Sequence, residues 1–217
     1  MDLRAIFFDL DGTLLDTLSD IAAAGNYAIQ QLGQPTHPEN DFRMMVGEGA
    51  DVLVRKALPL DKQHLADEAL RLFKSYYETN AIRHTTVYPG IAELLDALTR
   101  RGILLAVVTN KPQVTAQIVV ERLLGRWKWA AIAGHRDGIP KKPGPTSTLA
   151  IARSLGLPPS RCGFLGDSHI DMQTAVASGT IPIGAAWGFR GRQELQVNGA
   201  RVVIDHPMEL LSLLGPG

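Results

Sequence analysis

Apolar runs rich in β-branched and aromatic residues punctuate the chain at Ala5 to Phe8, Ile103 to Val108, Ala130 to Ala133, Cys162 to Leu165, Ile181 to Ala186 and Arg201 to Ile204. These predict strands. From Tyr88 onward they alternate with segments of helical period, notably Ile91 to Arg100, Gln113 to Leu124 and Thr146 to Leu155. That alternation is the rhythm of a parallel sheet with crossover helices. The predicted fold class is therefore α/β, a doubly wound, Rossmann-like parallel sheet.

Between about Thr17 and Ile82 the rhythm changes. Ala-, Leu-, Gln- and Lys-rich stretches of helical period cover Asp20 to Leu32, Gly49 to Ala57 and Lys62 to Tyr77, and no strand pattern intervenes. The pattern predicts a small helical domain, residues 17–82, inserted into a core made of residues 1–16 and 83–217. The insertion follows the first strand and precedes the second βα unit. Both of its connections should then lie near the carboxyl ends of the core strands, the edge at which doubly wound sheets bind ligands. A helical cap over the site is the economical expectation. No internal repeat or low-complexity tract interrupts this organisation.

Composition narrows the partner. Lys and Arg number 22, as do Asp and Glu, so no basic field argues for nucleic acid and no acidic tail for a basic partner. A small molecule is expected. Cys162 is the single cysteine, which excludes an internal disulfide framework and a cysteine-rich zinc site. Its place in an apolar run predicts a buried structural thiol. No apolar run is long enough to span a bilayer, and an acidic motif follows the first residues too closely for a secretory h-region. A cytoplasmic protein with no membrane association, either monomer or homodimer, is the expectation.

The first strand stops at Asp9-Leu10-Asp11-Gly12-Thr13-Leu14, which places two carboxylates at a strand end. Alternation lets both reach one pocket, and anions so close repel unless a cation or shared proton intervenes. An Asp-Gly turn is the plain alternative. A calcium-binding EF-hand loop is excluded, because Gly12 leads into Thr13-Leu14-Leu15 rather than toward further oxygen ligands. Three other segments deliver polar groups to the same edge. Val107-Val108-Thr109-Asn110-Lys111 offers a hydroxyl that could hold a phosphate oxygen beside the N–H groups of a following helix start, or could serve as a cap. Lys141-Lys142-Pro143-Gly144-Pro145 is a proline-stiffened loop whose Lys142 could neutralise a phosphate, with Lys141 a solvated surface residue. Phe164-Leu165-Gly166-Asp167-Ser168-His169-Ile170-Asp171 ends a strand with two acids four residues apart that can face one metal. Helix capping by Asp167 and a first-turn role for Asp171 are compatible with that.

Together Asp9-Leu10-Asp11-Gly12-Thr13, Thr109, Lys142-Pro143-Gly144-Pro145 and Gly166-Asp167-Ser168-His169-Ile170-Asp171 resemble, in order and spacing, the four motifs of the haloacid dehalogenase superfamily. The resemblance covers essentially the whole chain, and the helical insertion resembles the superfamily's C1 cap. Within the superfamily the chain is most similar to phosphoglycolate phosphatases, through Thr109-Asn110-Lys111-Pro112, Val46-Gly47-Glu48-Gly49 and Ala186-Trp187-Gly188-Phe189. The resemblance implies a magnesium-dependent phosphatase acting on a small phosphate monoester such as 2-phosphoglycolate. Asp9 would be the nucleophile that forms an aspartyl-phosphate, and Asp11 the acid and base that serves the leaving group and then water. An acid at position 11 implies P–O cleavage, since the superfamily's dehalogenases lack one there. Mg2+ would be held by the Asp9 carboxylate, the Asp11 backbone carbonyl and Asp167, supported by Asp171, with Thr109 and Lys142 on the phosphate oxygens.

Substrate selection is expected of the cap, with Asp16 and Thr17 near its hinge. Gly47 and Gly49 would let backbone approach the substrate, with Glu48 between them and Asn110 in the core also at hand. Arg43 would pair with a carboxylate such as glycolate's. For Arg43, Glu48, His37 and His64 the alternative is a solvated helix face, and Trp187 reads as core or interface rather than substrate wall. Other readings stay open: a phosphatase for pyrophosphate or a sugar phosphate, including N-acetylmuramate 6-phosphate, a phosphomutase using the same Asp9 and Asp11, or a non-catalytic binding protein.

Overall fold

The computed structural model describes residues 1–215, which divide into two compact units, Met1–Leu15 with the chain from Val87 onward, and Asp16–Thr86. In chain order the strands are β1 (Ala5–Phe8), β2 (Leu15–Asp16), β3 (Thr86–Val87), β4 (Leu104–Pro112), β5 (Trp129–His135), β6 (Cys162–Gly166), β7 (Ile181–Ala185) and β8 (Val202–Ile204). The α-helices are α1 (Leu18–Gln31), α2 (Ala50–Ala57), α3 (Ala66–Asn80), α4 (Ile91–Arg100), α5 (Gln113–Leu124), α6 (Thr146–Ser154), α7 (His169–Ser178), α8 (Arg192–Val197) and α9 (Leu210–Leu213).

The core unit is a six-stranded parallel sheet of order β5-β4-β1-β6-β7-β8, flanked by helices: a Rossmann-like fold. Successive strands first step from β1 to β4 and β5, then resume at β6 on the opposite side of β1. The reversal leaves a crevice beyond the carboxyl ends of β4, β1 and β6, where doubly wound sheets place ligands. β1 is central and fully buried, which accounts for its uninterrupted Ala5-Ile6-Phe7-Phe8 sequence. On one face Ala5 and Phe7 pack with Ala106, Val108, Cys162 and Phe164. Register puts Phe8 level with both Val107 and Leu165, so the next residues of the three strands emerge side by side.

Helix α4 shows how pattern becomes packing. Ile91, Leu94, Leu95 and Leu98 recur at i, i+3, i+4 and i+7, and all four are buried. Strand β4 runs to Pro112, beyond the expected end at Val108, because pairing with β5 resumes at Pro112 and His135 after a register shift. Helix α7, whose His169-Ile170-Asp171-Met172 opening carries little helical period, is signalled in the sequence only by the cap and first-turn roles open to Asp167 and Asp171.

In the helical unit α1 buries Ile21, Ala24, Ala28 and Ile29, α2 buries Leu53 and Val54, and α3 buries Ala69, Phe73 and Tyr77. A short 3-10 segment, Leu60–Leu65, occupies the start of the stretch expected to be α-helical from Lys62. Asp20, 2% exposed, ties the start of this unit to its end. Its carboxylate accepts from the backbone N–H groups of His84 and Thr85, each at 2.9 Å, and from Thr85 Oγ1 at 2.7 Å. No helix of the described residues is long and apolar enough to cross a membrane.

Candidate active site

Asp9 follows β1 directly, its N–H donating to Leu165 O at 2.9 Å, so the sheet itself fixes where the side chain begins. The residue is buried. Lys142 Nζ lies 2.7 Å from Asp9 Oδ1 and 2.7 Å from Asp171 Oδ1. The bond to Asp171 is a well-formed hydrogen bond, whereas toward Asp9 the ammonium makes a charge contact out of alignment, and Asp9 Oδ1 has no hydrogen-bond partner. Burial, then the Asp171 charge, raises the Asp9 carboxyl to about 7, against the opposing pull of Lys142. Burial would lower the Lys142 ammonium, but Asp171 and Asp9 beside it hold it above its ordinary range.

Asp167 extends from β6 and sits in a cradle. It accepts from Thr13 Oγ1 at 3.1 Å and from Phe189 N at 2.7 Å. Gly12, at φ +83°, and Gly188 close against its carboxylate, and a Cβ on either would overlap it. Trp187 braces the same loop, its indole N–H donating to Thr13 O at 3.0 Å. Burial first, then Asp171 and Asp9, pushes the Asp167 carboxyl well above the usual range. Ser168, not Asp167, caps α7. Its N–H and hydroxyl donate to Asp171 Oδ2 at 3.1 and 2.6 Å, so Asp171 is held at both oxygens.

The β4 segment behaves differently from the expectation for a strand end. Thr109 lies inside the extended strand, its Oγ1 accepting from Lys111 N at 3.2 Å, and the residue before α5 is Pro112, so Thr109 caps no helix. Asn110 brackets the neighbouring loop: its Nδ2 donates to Lys142 O at 3.0 Å and its Oδ1 accepts from Lys142 N at 2.8 Å. That bracket fixes the backbone from which the Lys142 ammonium extends. Lys111, to which the sequence attaches no role, places Nζ 2.7 and 3.0 Å from the two Asp11 oxygens with its side chain 3% exposed.

The site therefore gathers Asp9, Asp11, Asp167 and Asp171 against Lys111 and Lys142, four carboxylates to two ammoniums. Fully ionised, these six residues carry a surplus of two negative charges. Ligand oxygens of Asp9, Asp167 and Asp171 lie within 4.8 Å of one another, all three residues are buried, and Asp9 Oδ1 has no hydrogen bond. An all-oxygen, anionic cluster of this kind suits a hard divalent cation. The Asp11 carboxylate stands apart from the cluster, engaged with Lys111.

The residues expected to select substrate belong to the helical unit. Glu48 pairs with Lys56 at 2.7 Å, Gly47 and Gly49 both have positive φ, and Arg43 lies in a 3-10 segment, half-buried. His37 is not on a solvated face. It exchanges two hydrogen bonds with Asn26, contacts Ala57 O through Nε2 at 2.8 Å and meets the Phe42 ring edge-on. His64 is exposed, and Lys141 is half-buried rather than fully solvated. Cys162 is wholly buried in β6, and burial raises its thiol to about 11, so it is a packing residue.

This arrangement has relatives. The chain matches the haloacid dehalogenase-like hydrolase family over residues 3–179 and belongs to it. The phosphoglycolate phosphatase of Pseudomonas syringae pv. tomato is 38% identical, over 93% of this chain and 76% of that protein. The phosphoglycolate phosphatase of Escherichia coli K12 is 32% identical, over 99% of this chain and 93% of its own. A structure from Lactobacillus delbrueckii subsp. bulgaricus, described as a candidate phosphoglycolate phosphatase, superposes with a TM-score of 0.91 at 34% identity, each chain covered completely. Family and site together make the protein a phosphatase.

Proposed function

We propose that the protein is a magnesium-dependent phosphatase that hydrolyses 2-phosphoglycolate to glycolate and phosphate through an aspartyl-phosphate at Asp9. The observation that carries this reading is the buried cluster of Asp9, Asp167 and Asp171 with Lys142 inserted into it. The choice of 2-phosphoglycolate rests on the relatives that bear that activity in their names.

Asp9, Asp167 and Asp171 would hold the metal, with the Asp11 backbone carbonyl as a further ligand. Magnesium, when bound, supplies the positive charge that lets an anionic carboxylate approach an anionic phosphoryl group. Asp9 attacks phosphorus in line. The ester bond breaks, and its electron pair leaves with the glycolate oxygen, which receives a proton from the Asp11 carboxyl. Asp11, now a carboxylate, takes a proton from water as that water attacks the phosphoryl group on Asp9 and frees the Asp9 carboxylate. Lys142 and Thr109 stabilise charge on the oxygens that do not leave. Asn110 fixes the Lys142 backbone, and the Trp187-Gly188-Phe189 loop holds Asp167 in place.

The test is acid quench of a single turnover with 32P-labelled substrate. Label should appear on the peptide that contains Asp9 and be missing in Asp9→Asn. Label on another residue, or turnover by Asp9→Asn, would remove Asp9 from the role of nucleophile.

A further inference from the structure

Two buried ammoniums serve this site and they face different partners. Lys142 contacts Asp9 and Asp171, while Lys111 contacts both oxygens of Asp11, at 2.7 and 3.0 Å. In the reading above Asp9 and Asp171 stand on the side of the transferred phosphoryl group, and Asp11 meets the leaving oxygen. Lys111 is thus the cation on the leaving-group side. A leaving oxygen hydrogen-bonded to Asp11 would lie within roughly 6 Å of the Lys111 Nζ, two hydrogen-bond lengths at most.

We propose that Lys111 is a specificity-determining residue, which receives the carboxylate of a substrate whose leaving group bears an anion two bonds beyond the ester oxygen. The proposal rests on the phosphatase reading above and deepens it. In 2-phosphoglycolate the carboxylate carbon is separated from the ester oxygen by a single methylene, which brings it within reach of Nζ. An ammonium is a compact charge without a fixed fork, so its attraction extends to a second carboxylate brought beside Asp11. The side chain is 3% exposed, and at such a site the attraction between ammonium and carboxylate is screened far less than in water. A neutral leaving group of equal size gains none of it. Arg43, in the helical unit, is the sequence's candidate for the same carboxylate. Lys111 differs in belonging to the unit that carries Asp11 and in touching it.

The test compares kcat/KM for 2-phosphoglycolate with that for ethyl phosphate, which lacks the carboxylate, in the unaltered protein and in Lys111→Met. Loss of a desolvated charge contact predicts a fall in that ratio of at least about thirtyfold in Lys111→Met, chiefly through KM for 2-phosphoglycolate. Lys111→Arg, which keeps the charge, should retain more of the ratio. A ratio within about threefold of the unaltered value in Lys111→Met overturns the assignment to Lys111, as does a ratio abolished in Arg43→Ala but kept in Lys111→Met. An unaltered enzyme that treats the two esters alike overturns the substrate class itself. If Lys111→Met does not fold, 15N resonances of the unaltered protein's lysines provide the reading. The Lys111 ammonium signal should shift with 3-phosphonopropionate far more than with propylphosphonate, and equal responses would overturn the proposal.

Discussion

Gly188 lies so close against Asp167 that a Cβ on it would come within 2.6 Å of the Asp167 Cγ, while the next residue, Phe189, donates its N–H to Asp167 Oδ2 at 2.7 Å. One loop thus supplies both the space that the carboxylate occupies and a bond that orients it. Both effects depend on residues about twenty positions after Asp167 in the chain. The glycine has a local purpose, because any side chain there would push the carboxylate out of the cluster with Asp9 and Asp171.

Gly188→Ala should therefore lower kcat/KM by about a hundredfold, the scale expected when a catalytic group is displaced by about 1 Å. Apparent affinity for Mg2+ should weaken in parallel. Steady-state kinetics across a magnesium titration read both. An unchanged magnesium dependence would mean that Asp167 tolerates the shift.

Asn110→Ala removes both hydrogen bonds that bracket Lys142 and leaves the Lys142 ammonium chemically intact. The expected loss is about 10- to 100-fold in kcat/KM, as for other groups that orient a ligating or charged residue. Circular dichroism should show an unaltered fold. Full activity in this variant would show that the loop holds Lys142 without help.

The raised carboxyls give stability a pH dependence of definite sign. Asp9, at about 7, and Asp167, well above the usual range, keep protons in the folded protein that the unfolded chain releases near pH 4. Their contribution to stability is present at low pH; the Asp9 part is lost as pH rises through about 7, and the Asp167 part as pH rises well above the usual carboxylate range. A divalent cation held by the cluster would replace those protons, so Mg2+ should raise Tm more at pH 8 than at pH 5 relative to chelator. Lys142, raised above its ordinary range, stays charged throughout this interval. Equal magnesium shifts at the two pH values would contradict the assignment of the cluster as the metal site.

Asp20→Ala leaves the buried N–H of Thr85 and its neighbour His84 N–H without their acceptor. The helical unit should lose about 2 kcal/mol of stability, the cost of stranding the buried Thr85 N–H, since His84 is exposed and its N–H can turn to water. Urea unfolding followed by tyrosine fluorescence would detect it, and a midpoint within error of the unaltered protein would show that water replaces the carboxylate.

Sequence pattern is most legible where one local rule governs the outcome. β1 matches its apolar run residue for residue, as do α4 and α5, because burial on both faces or one helical face selects the residues directly. The four motif carboxylates and Lys142, which the structure brings together, stand out in the sequence because polar groups at or near the ends of buried strands are costly without a use. Lys111 does not, since its meaning depends on a partner 100 residues earlier in the chain. The same holds for Asn110, whose side chain serves a loop 32 residues away, and for Trp187-Gly188-Phe189, whose likeness to relatives is legible but whose cradle around Asp167 is a tertiary fact. His37 reads as a surface residue by type, and only its exchange with Asn26 makes it structural.

The most direct measurement is release of inorganic phosphate from 2-phosphoglycolate, pyrophosphate, sugar phosphates and nucleotides, each with magnesium and with chelator, for the unaltered protein and Asp9→Asn. The account predicts a magnesium-dependent kcat/KM that is highest for 2-phosphoglycolate, with no turnover in the variant. Equal rates in chelator, or a turnover that survives Asp9→Asn, would contradict it.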